Sequence, residues 1–126
     1  MEVKIYYEDT DCGGVVYYAN YLKYFERARS EYLEKRGVSL LELHKQEIFF
    51  MVATANLKYR APAHYGETLA IDTQISEVAH ASFTFQYKVH EKTNRLLLVE
   101  GETKIVTVDG KGKLKRLNPD LKAKLK

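Results

Sequence analysis

The sequence predicts an α+β fold in which an antiparallel five-stranded sheet is wrapped around one long central helix. Three observations predict it. A single long amphipathic helical segment follows one strand near the start of the chain, four segments with strand character come after it, and the connections between those four are short. Short connections join antiparallel strands, and a lone long helix must lie on one face of their sheet.

The first third of the chain is predicted to hold a strand, a loop and the long helix. Residues 3–7 are β-branched and aromatic, as in strands, whereas residues 8–14 combine acidic side chains with two glycines, as in loops. The helix is predicted to begin at residues 18–20 and to end near Arg36, because Gly37 is a helix stop. Its apolar face recurs at helical spacing through Tyr21, Phe25, Ala28 and Tyr32.

Two short helices are predicted from their caps. Ser39 and Glu42 form a capping box, which indicates a helix directly after Ser39. Asn118 followed by Pro119 is typical of the start of a final short helix.

Four later strands are predicted from alternating side chains. The odd positions are apolar from residue 49 to residue 59, and the alternation continues in residues 69–75 and 81–89. Residues 96–108 form the last long strand, and turns are expected at residues 79–80 and 92–94. Because the connections are short, we expect these four strands to form an antiparallel meander.

This order of elements fits the hotdog architecture. A ferredoxin-like sandwich is the alternative, but it needs a second long helix late in the chain, where the sequence shows none. One helix cannot cover five strands, so a monomer would leave apolar strand surface in water. We therefore expect a homo-oligomer.

Length and composition limit the class of protein. The 126 residues suffice for a single domain over residues 1–126, with 45% hydrophobic and 29% charged residues, as in ordinary globular proteins. We expect no membrane span, no signal peptide and a cytoplasmic location, because no long uncharged segment occurs and the first residues lack a basic patch before an apolar stretch. Cys12 is the one cysteine and the histidines are scattered, so we expect no metal site.

The net charge of +3 is unevenly distributed. The residues from 104 onward carry eight Lys or Arg and only two Asp. Such a basic end suits an anionic partner such as nucleic acid, but its lysines alternate with apolar residues as on an ordinary surface. We therefore expect no nucleic-acid partner, and a nucleic-acid binder is the weakest of the functional hypotheses.

The acidic loop before the long helix is the strongest candidate for a site. Asp11 lies a few residues before a predicted helix start, where backbone N–H groups are unpaired and carry a partial positive charge. A carboxylate beside such donors can attack a carbonyl while the donors stabilise the developing oxyanion. The structural alternative is that Asp11 only caps backbone N–H groups of its turn.

A resemblance to a known family favours a catalytic role for Asp11. The stretch from Tyr6 to Leu33 resembles the signature of the 4-hydroxybenzoyl-CoA thioesterase family and, more closely, its YbgC-type acyl-CoA thioesterase branch. The matching frame is Thr10-Asp11-x-x-Gly14-Val15-Val16-x-aromatic-x-Asn20-Tyr21. The resemblance implies a hotdog fold that assembles as a tetramer built from dimers, and hydrolysis of coenzyme A thioesters without a cofactor.

The same resemblance implies roles for three residues. Asp11 would be the catalytic carboxylate, either as a nucleophile that forms a mixed anhydride or as a general base on water. The backbone N–H of Tyr18 would polarise the carbonyl, with help from the helix dipole, and Asn20 would bind substrate, hold the loop or cap the helix. Many members of the branch carry His where this chain has Tyr18, so any proton transfer by that His is absent here.

Other polar residues in and beyond the motif are weaker candidates for catalysis or ligand binding. Cys12 is expected to be inert, because no histidine lies nearby in the motif to activate it. Asp9 and Asp11 start a pattern similar to a calcium loop, but Asn20 stands where its last ligand should be Glu. His64 is expected to be a surface histidine, and Lys58 and Arg60 are candidates for contact with coenzyme A phosphates.

Two further functional possibilities follow from the same fold. The chain can be a binding module for acyl-CoA or acyl carrier protein that does not catalyse hydrolysis. Acyl carrier protein is also a second candidate carrier of the substrate acyl group.

Overall fold

The computed structural model describes residues 1–126. Its strands and helices form where the side-chain pattern favours them. The strands are β1 (Glu2–Lys4), β2 (Phe49–Tyr59), β3 (Thr68–Val78), β4 (Ser82–Glu91) and β5 (Leu97–Val108). The helices are α1 (Asn20–Lys35), α2 (Leu40–Lys45) and α3 (Pro119–Leu125). The Ser39 and Asn118 side chains cap α2 and α3, as predicted.

The five strands form one antiparallel sheet in the order β1-β3-β4-β5-β2. The predicted fold class is confirmed, but the predicted meander is wrong for β2. Only β3, β4 and β5 follow one another as neighbours, whereas β2 pairs with β5 and forms an edge of the sheet. The connection of residues 60–67 is too long for a tight hairpin, so β2 is free to pair with a strand distant in sequence.

A β-bulge changes which side chains of β2 face the helix side of the sheet. The register shifts between Val52 and Thr54, so that Phe50 lies opposite Thr107 while Leu57 lies opposite Gly101. Phe50 then packs against the core, with its ring 5.2 Å from that of Phe83. The apolar odd positions from 49 to 59 therefore do not share one face, because one extra residue inverts the alternation.

Helix α1 lies against the sheet through a stacked pair of aromatic rings. Phe25 stacks on Tyr87 of β4, with centroids 4.1 Å apart and planes 5° from parallel. Gly101 of β5 permits this approach, because a Cβ at that position would stand 2.3 Å from the Phe25 ring. The Tyr87 hydroxyl bonds to Thr103 at 2.7 Å, which satisfies both buried groups. Helix α1 is thus held at a defined position over the sheet.

The first strand is shorter than predicted. β1 ends at Lys4, and residues 7–9 form a turn of 3-10 helix instead of continuing the strand. The Asp9 carboxylate accepts a hydrogen bond from the Tyr6 N–H at 2.8 Å, which stabilises that turn.

None of the helices has the length and apolar character that crossing a bilayer requires.

Candidate active site

The loop between β1 and α1 folds into a small hairpin around Asp11. The Asp11 N–H donates to the Val15 carbonyl at 2.8 Å, and the Gly14 N–H donates to the Asp11 carbonyl at 3.1 Å. Thr10 and Val16 form a β-bridge. Gly14 has a φ of +82°, a left-handed conformation that glycine adopts without strain. The backbone around Asp11 is therefore held on both sides.

The connection between β2 and β3 adds a third strand to this hairpin. The Val16 N–H donates to the Ala63 carbonyl at 2.8 Å, and Val15 forms a β-bridge with His64. Val16 and Ala63 are buried in the core, so this contact anchors the hairpin to the body of the protein.

The Asp11 carboxylate is exposed, and only one of its two oxygens accepts a hydrogen bond from the protein. Its Oδ1 accepts a hydrogen bond from the Gly13 N–H at 2.8 Å, which is the turn-capping role that the sequence offered as the alternative. Its Oδ2 accepts no hydrogen bond from the protein. One oxygen therefore orients the side chain while the other is available to a substrate or a water molecule.

The start of α1 presents unpaired backbone donors. Ala19 is the cap residue and has no side-chain bond to the helix, so the idea that Asn20 caps the helix is wrong. The N–H groups of Tyr18, Ala19 and Tyr21 donate to no acceptor in the protein. Unpaired donors at a helix start attract negative charge.

Asn20 links the helix start to the acidic loop. Its Nδ2 donates to the Asp9 carbonyl at 2.8 Å, and the Tyr17 N–H donates to the same carbonyl at 2.9 Å. These two bonds join the helix start to the segment that carries Asp11. The sequence-predicted residues Asp11, Tyr18 and Asn20 therefore lie on one connected unit.

A cleft of about 330 Å³ opens beside this helix start. It is lined by Val16, Tyr18, Tyr21, Tyr59, Arg60, Ala61 and Pro62. The Tyr59 hydroxyl donates to the Tyr18 carbonyl at 3.1 Å. Burial raises the pKa of Tyr21 to about 12 and also raises the pKa of Tyr59. Both phenols are therefore neutral near pH 7, and the cleft offers aromatic surface with hydroxyl groups.

Sequence reasoning missed Tyr59. In the sequence it is only the last apolar position of a strand, and its closeness to Tyr18 depends on the placement of β2 beside β5. No local signal could have found it.

The remaining candidates lie elsewhere or are already paired. Arg60 binds Glu100 at 2.9 Å and holds the pKa of that carboxyl below its ordinary value. Lys58 lies opposite Glu100 in the strand register. Cys12 is exposed and unpaired, and no group of three His, Cys, Asp or Glu side chains comes together to hold a metal ion.

Comparisons with known proteins decide the family. Residues 6–125 match the family described as the thioesterase-like superfamily. The acyl-CoA thioesterase YbgC of Haemophilus influenzae is 40% identical over 114 residues, which cover 90% of this chain and 82% of that protein. The chain belongs to the thioesterase-like superfamily.

Solved structures agree with this membership. A DHNA-CoA thioesterase from Staphylococcus aureus is 27% identical with a TM-score of 0.94, covering 98% of this chain and 85% of that chain. A 4-hydroxybenzoyl CoA thioesterase is 21% identical with a TM-score of 0.92, covering 100% and 96%, and shows the shared fold. The resemblance, the hotdog fold and the enzyme class, a thioester hydrolase, are thereby confirmed for this thioesterase-like chain.

Proposed function

We propose that this protein hydrolyses acyl-CoA thioesters to the free acid and coenzyme A, with Asp11 as the catalytic carboxylate. One observation carries the proposal: Asp11 presents a free Oδ2 on a loop that is tied to a helix start with unpaired N–H groups. Relatives such as the Haemophilus influenzae protein carry the name acyl-CoA thioesterase, which supports this class of substrate.

The proposed chemistry uses the carboxylate and the helix start together. Asp11 either attacks the thioester carbonyl carbon through Oδ2 or removes a proton from an attacking water. The carbonyl oxygen gains negative charge in both routes, and the N–H of Tyr18 donates to it with support from the α1 dipole. Asn20 contributes to substrate binding by holding the loop through the Asp9 carbonyl.

We also propose that the working form is a homo-oligomer, a tetramer built from dimers, in which a second copy covers β2. This strand is an 11-residue edge with an unpaired row of backbone groups. Met51 and Val52 on it are 52% and 48% exposed, which is unusual for apolar strand residues in a sheet. An open edge of this length invites pairing with an identical strand.

The test measures thiol release from a panel of acyl-CoA esters and acyl carrier protein esters. We expect turnover by the wild type and a fall in kcat of about 10²–10⁴-fold in Asp11→Asn, the range for loss of a general base. Asp72→Asn is the matched control, because Asp72 is also an exposed aspartate but lies on β3. Light scattering should give wild type and variant the same multiple of the 14.6 kDa chain.

Two outcomes would contradict the proposal. Full activity in Asp11→Asn would remove Asp11 from the reaction. Stabilisation by CoA esters without turnover of any ester would make the protein a binding module. In an active enzyme, an acyl adduct on Asp11 in rapidly quenched single turnovers would identify the nucleophilic route.

A further inference from the structure

The Asp11 hairpin and residues 63–64 form a three-stranded ribbon with a defined register. Thr10 pairs with Val16, which places Asp11 opposite Val15. Val15 in turn pairs with His64. Asp11, Val15 and His64 therefore occupy one row across the ribbon.

Residues in one row of an antiparallel ribbon project their side chains to the same face. The neighbouring row of this ribbon is buried: Val16 is 5% and Ala63 is 0% exposed. The row with Asp11 and His64 consequently faces outward, and both of these residues are exposed. Adjacent strands lie about 4.8 Å apart, so the two Cα atoms are about 10 Å apart, with the short Val15 side chain between them.

That spacing leaves room for a reacting group between the two side chains. A histidine side chain reaches further from its Cα than an aspartate side chain does. A thioester carbonyl attacked at the Asp11 Oδ2 would therefore have its sulfur and the incoming water within reach of the His64 ring.

His64 is oriented by a carboxylate. Its Nδ1 lies 3.1 Å from Oε1 of Glu67, and the same oxygen accepts the His64 backbone N–H. An ionised carboxylate only accepts, so Nδ1 carries the hydrogen and Nε2 is the nitrogen left for proton exchange. The Glu67 side chain is only 29% exposed, which limits its freedom to move away.

We propose that His64, oriented by Glu67, is the catalytic proton-transfer residue that works opposite Asp11. The inference rests on the proposed thioesterase function and adds a residue to it. It assigns a role to a histidine that sequence reasoning took for ordinary surface, because only the pairing of Val15 with His64 brings it onto the Asp11 row.

In the nucleophilic route, the reaction begins with ionised Asp11 and protonated His64. The Asp11 Oδ2 forms a bond to the carbonyl carbon, the C–S bond breaks, and protonated His64 gives its Nε2 proton to the leaving thiolate. Water then attacks the anhydride while neutral His64 takes one of its protons. The C–O bond to Asp11 breaks, and the free acid, ionised Asp11 and protonated His64 result. In the general-base route, Asp11 takes a proton from water, and the hydroxide so formed makes a bond to the carbonyl carbon. The C–S bond breaks, protonated His64 gives its Nε2 proton to the leaving thiolate, and Asp11 then returns its proton to His64.

The experiment compares His64→Gln, His64→Ala and Glu67→Gln in the thioesterase assay. We expect kcat to fall about 10²-fold in His64→Gln, the lower end for loss of a general acid–base group, and by a smaller factor in Glu67→Gln. Added imidazole should restore part of the activity of His64→Ala but none of the activity of Asp11→Asn, a rescue that a structural role would not produce. His80→Gln is the matched control, since His80 is an exposed histidine in the β3–β4 turn.

The outcomes separate this inference from the proposed function. If His64→Gln keeps full activity while Asp11→Asn is inactive, the role of His64 is overturned and the thioesterase function stands. A loss of activity in His64→Ala that imidazole does not restore, with a far-ultraviolet spectrum like wild type, also overturns it. Absence of wild-type turnover would overturn both.

Discussion

The tyrosines of this protein fall into two regions with opposite environments. Six of the ten are exposed and belong to the N-terminal loop, the helix start, the end of β2 and the following connection: Tyr6, Tyr7, Tyr17, Tyr18, Tyr59 and Tyr65. Three others are almost fully buried between α1 and the sheet: Tyr21, Tyr24 and Tyr87. One type of residue thus builds the core in one region, and in the other region two of its members, Tyr18 and Tyr59, line the cleft of the candidate site.

The buried rings stabilise the fold, whereas the exposed rings contribute little to it. A buried aromatic side chain contributes about 1.5–3 kcal/mol by leaving water, and stacking such as that of Phe25 on Tyr87 adds to this. Exposed rings gain little of that energy. Two of them, Tyr18 and Tyr59, line the cleft beside the unpaired helix donors, which favours this cleft as a surface for a ligand.

The largest effect on stability is expected when a ring is removed from the buried region. We expect Phe25→Ala to lower the free energy of unfolding by about 3–5 kcal/mol, because the ring fills the space over Gly101 and stacks on Tyr87. Denaturant unfolding monitored by circular dichroism measures this. A loss no larger than that of Tyr18→Ala, a truncation in the exposed region, would show that the two regions do not differ in stability.

The stability of the protein at alkaline pH depends on a tyrosine that belongs to the core and also lines the cleft. Tyr21 is buried in the core and also lines the cleft. Its pKa is raised from 10.0 to about 12, first by burial. The native state therefore holds this proton more tightly than the unfolded state does. The stability it contributes is complete below pH 10 and is lost as the pH rises from 10 to 12.

We expect Tyr21→Phe to make the alkaline decline shallower, since a phenyl ring has no proton to lose. The free energy of unfolding of variant and wild type, measured at steps from pH 8 to pH 12, shows the difference. Burial also raises the pKa of Tyr24 and Tyr87, so a decline should persist in the variant. Parallel profiles for wild type and variant would contradict the expectation.

What the sequence could predict depends on how local the cause is. Helix α1 was predictable because its periodic apolar face and Gly37 lie within one segment, and the Asp11 loop was predictable because its motif is continuous. Strand β2 pairs with β5, which lies about fifty residues away in the sequence. Neither this pairing nor the β-bulge in β2 has a signal in the sequence of β2 itself. The contacts of Tyr59 with Tyr18 and of His64 with Val15 join segments that are far apart in the sequence, so this part of the candidate site could be seen only in the structure.

The smallest expected effect tests whether the exposed tyrosines serve the site. Tyr59→Phe keeps the ring, whose centroid lies 6.4 Å from that of Tyr18, and removes only the hydroxyl that donates to the Tyr18 carbonyl. That carbonyl belongs to the same residue as the N–H that is the proposed donor to the substrate, so the bond helps to fix the backbone of the helix start. We expect a change in stability of about 1 kcal/mol or less and a fall in kcat of a few-fold with little change in KM.

Tyr65→Phe is the control, because the Tyr65 ring contacts Tyr7 but its hydroxyl makes no hydrogen bond. Equal kcat values for both variants would contradict this expectation. They would mean that the Tyr59 hydroxyl contributes to the stability of the fold and not to the reaction.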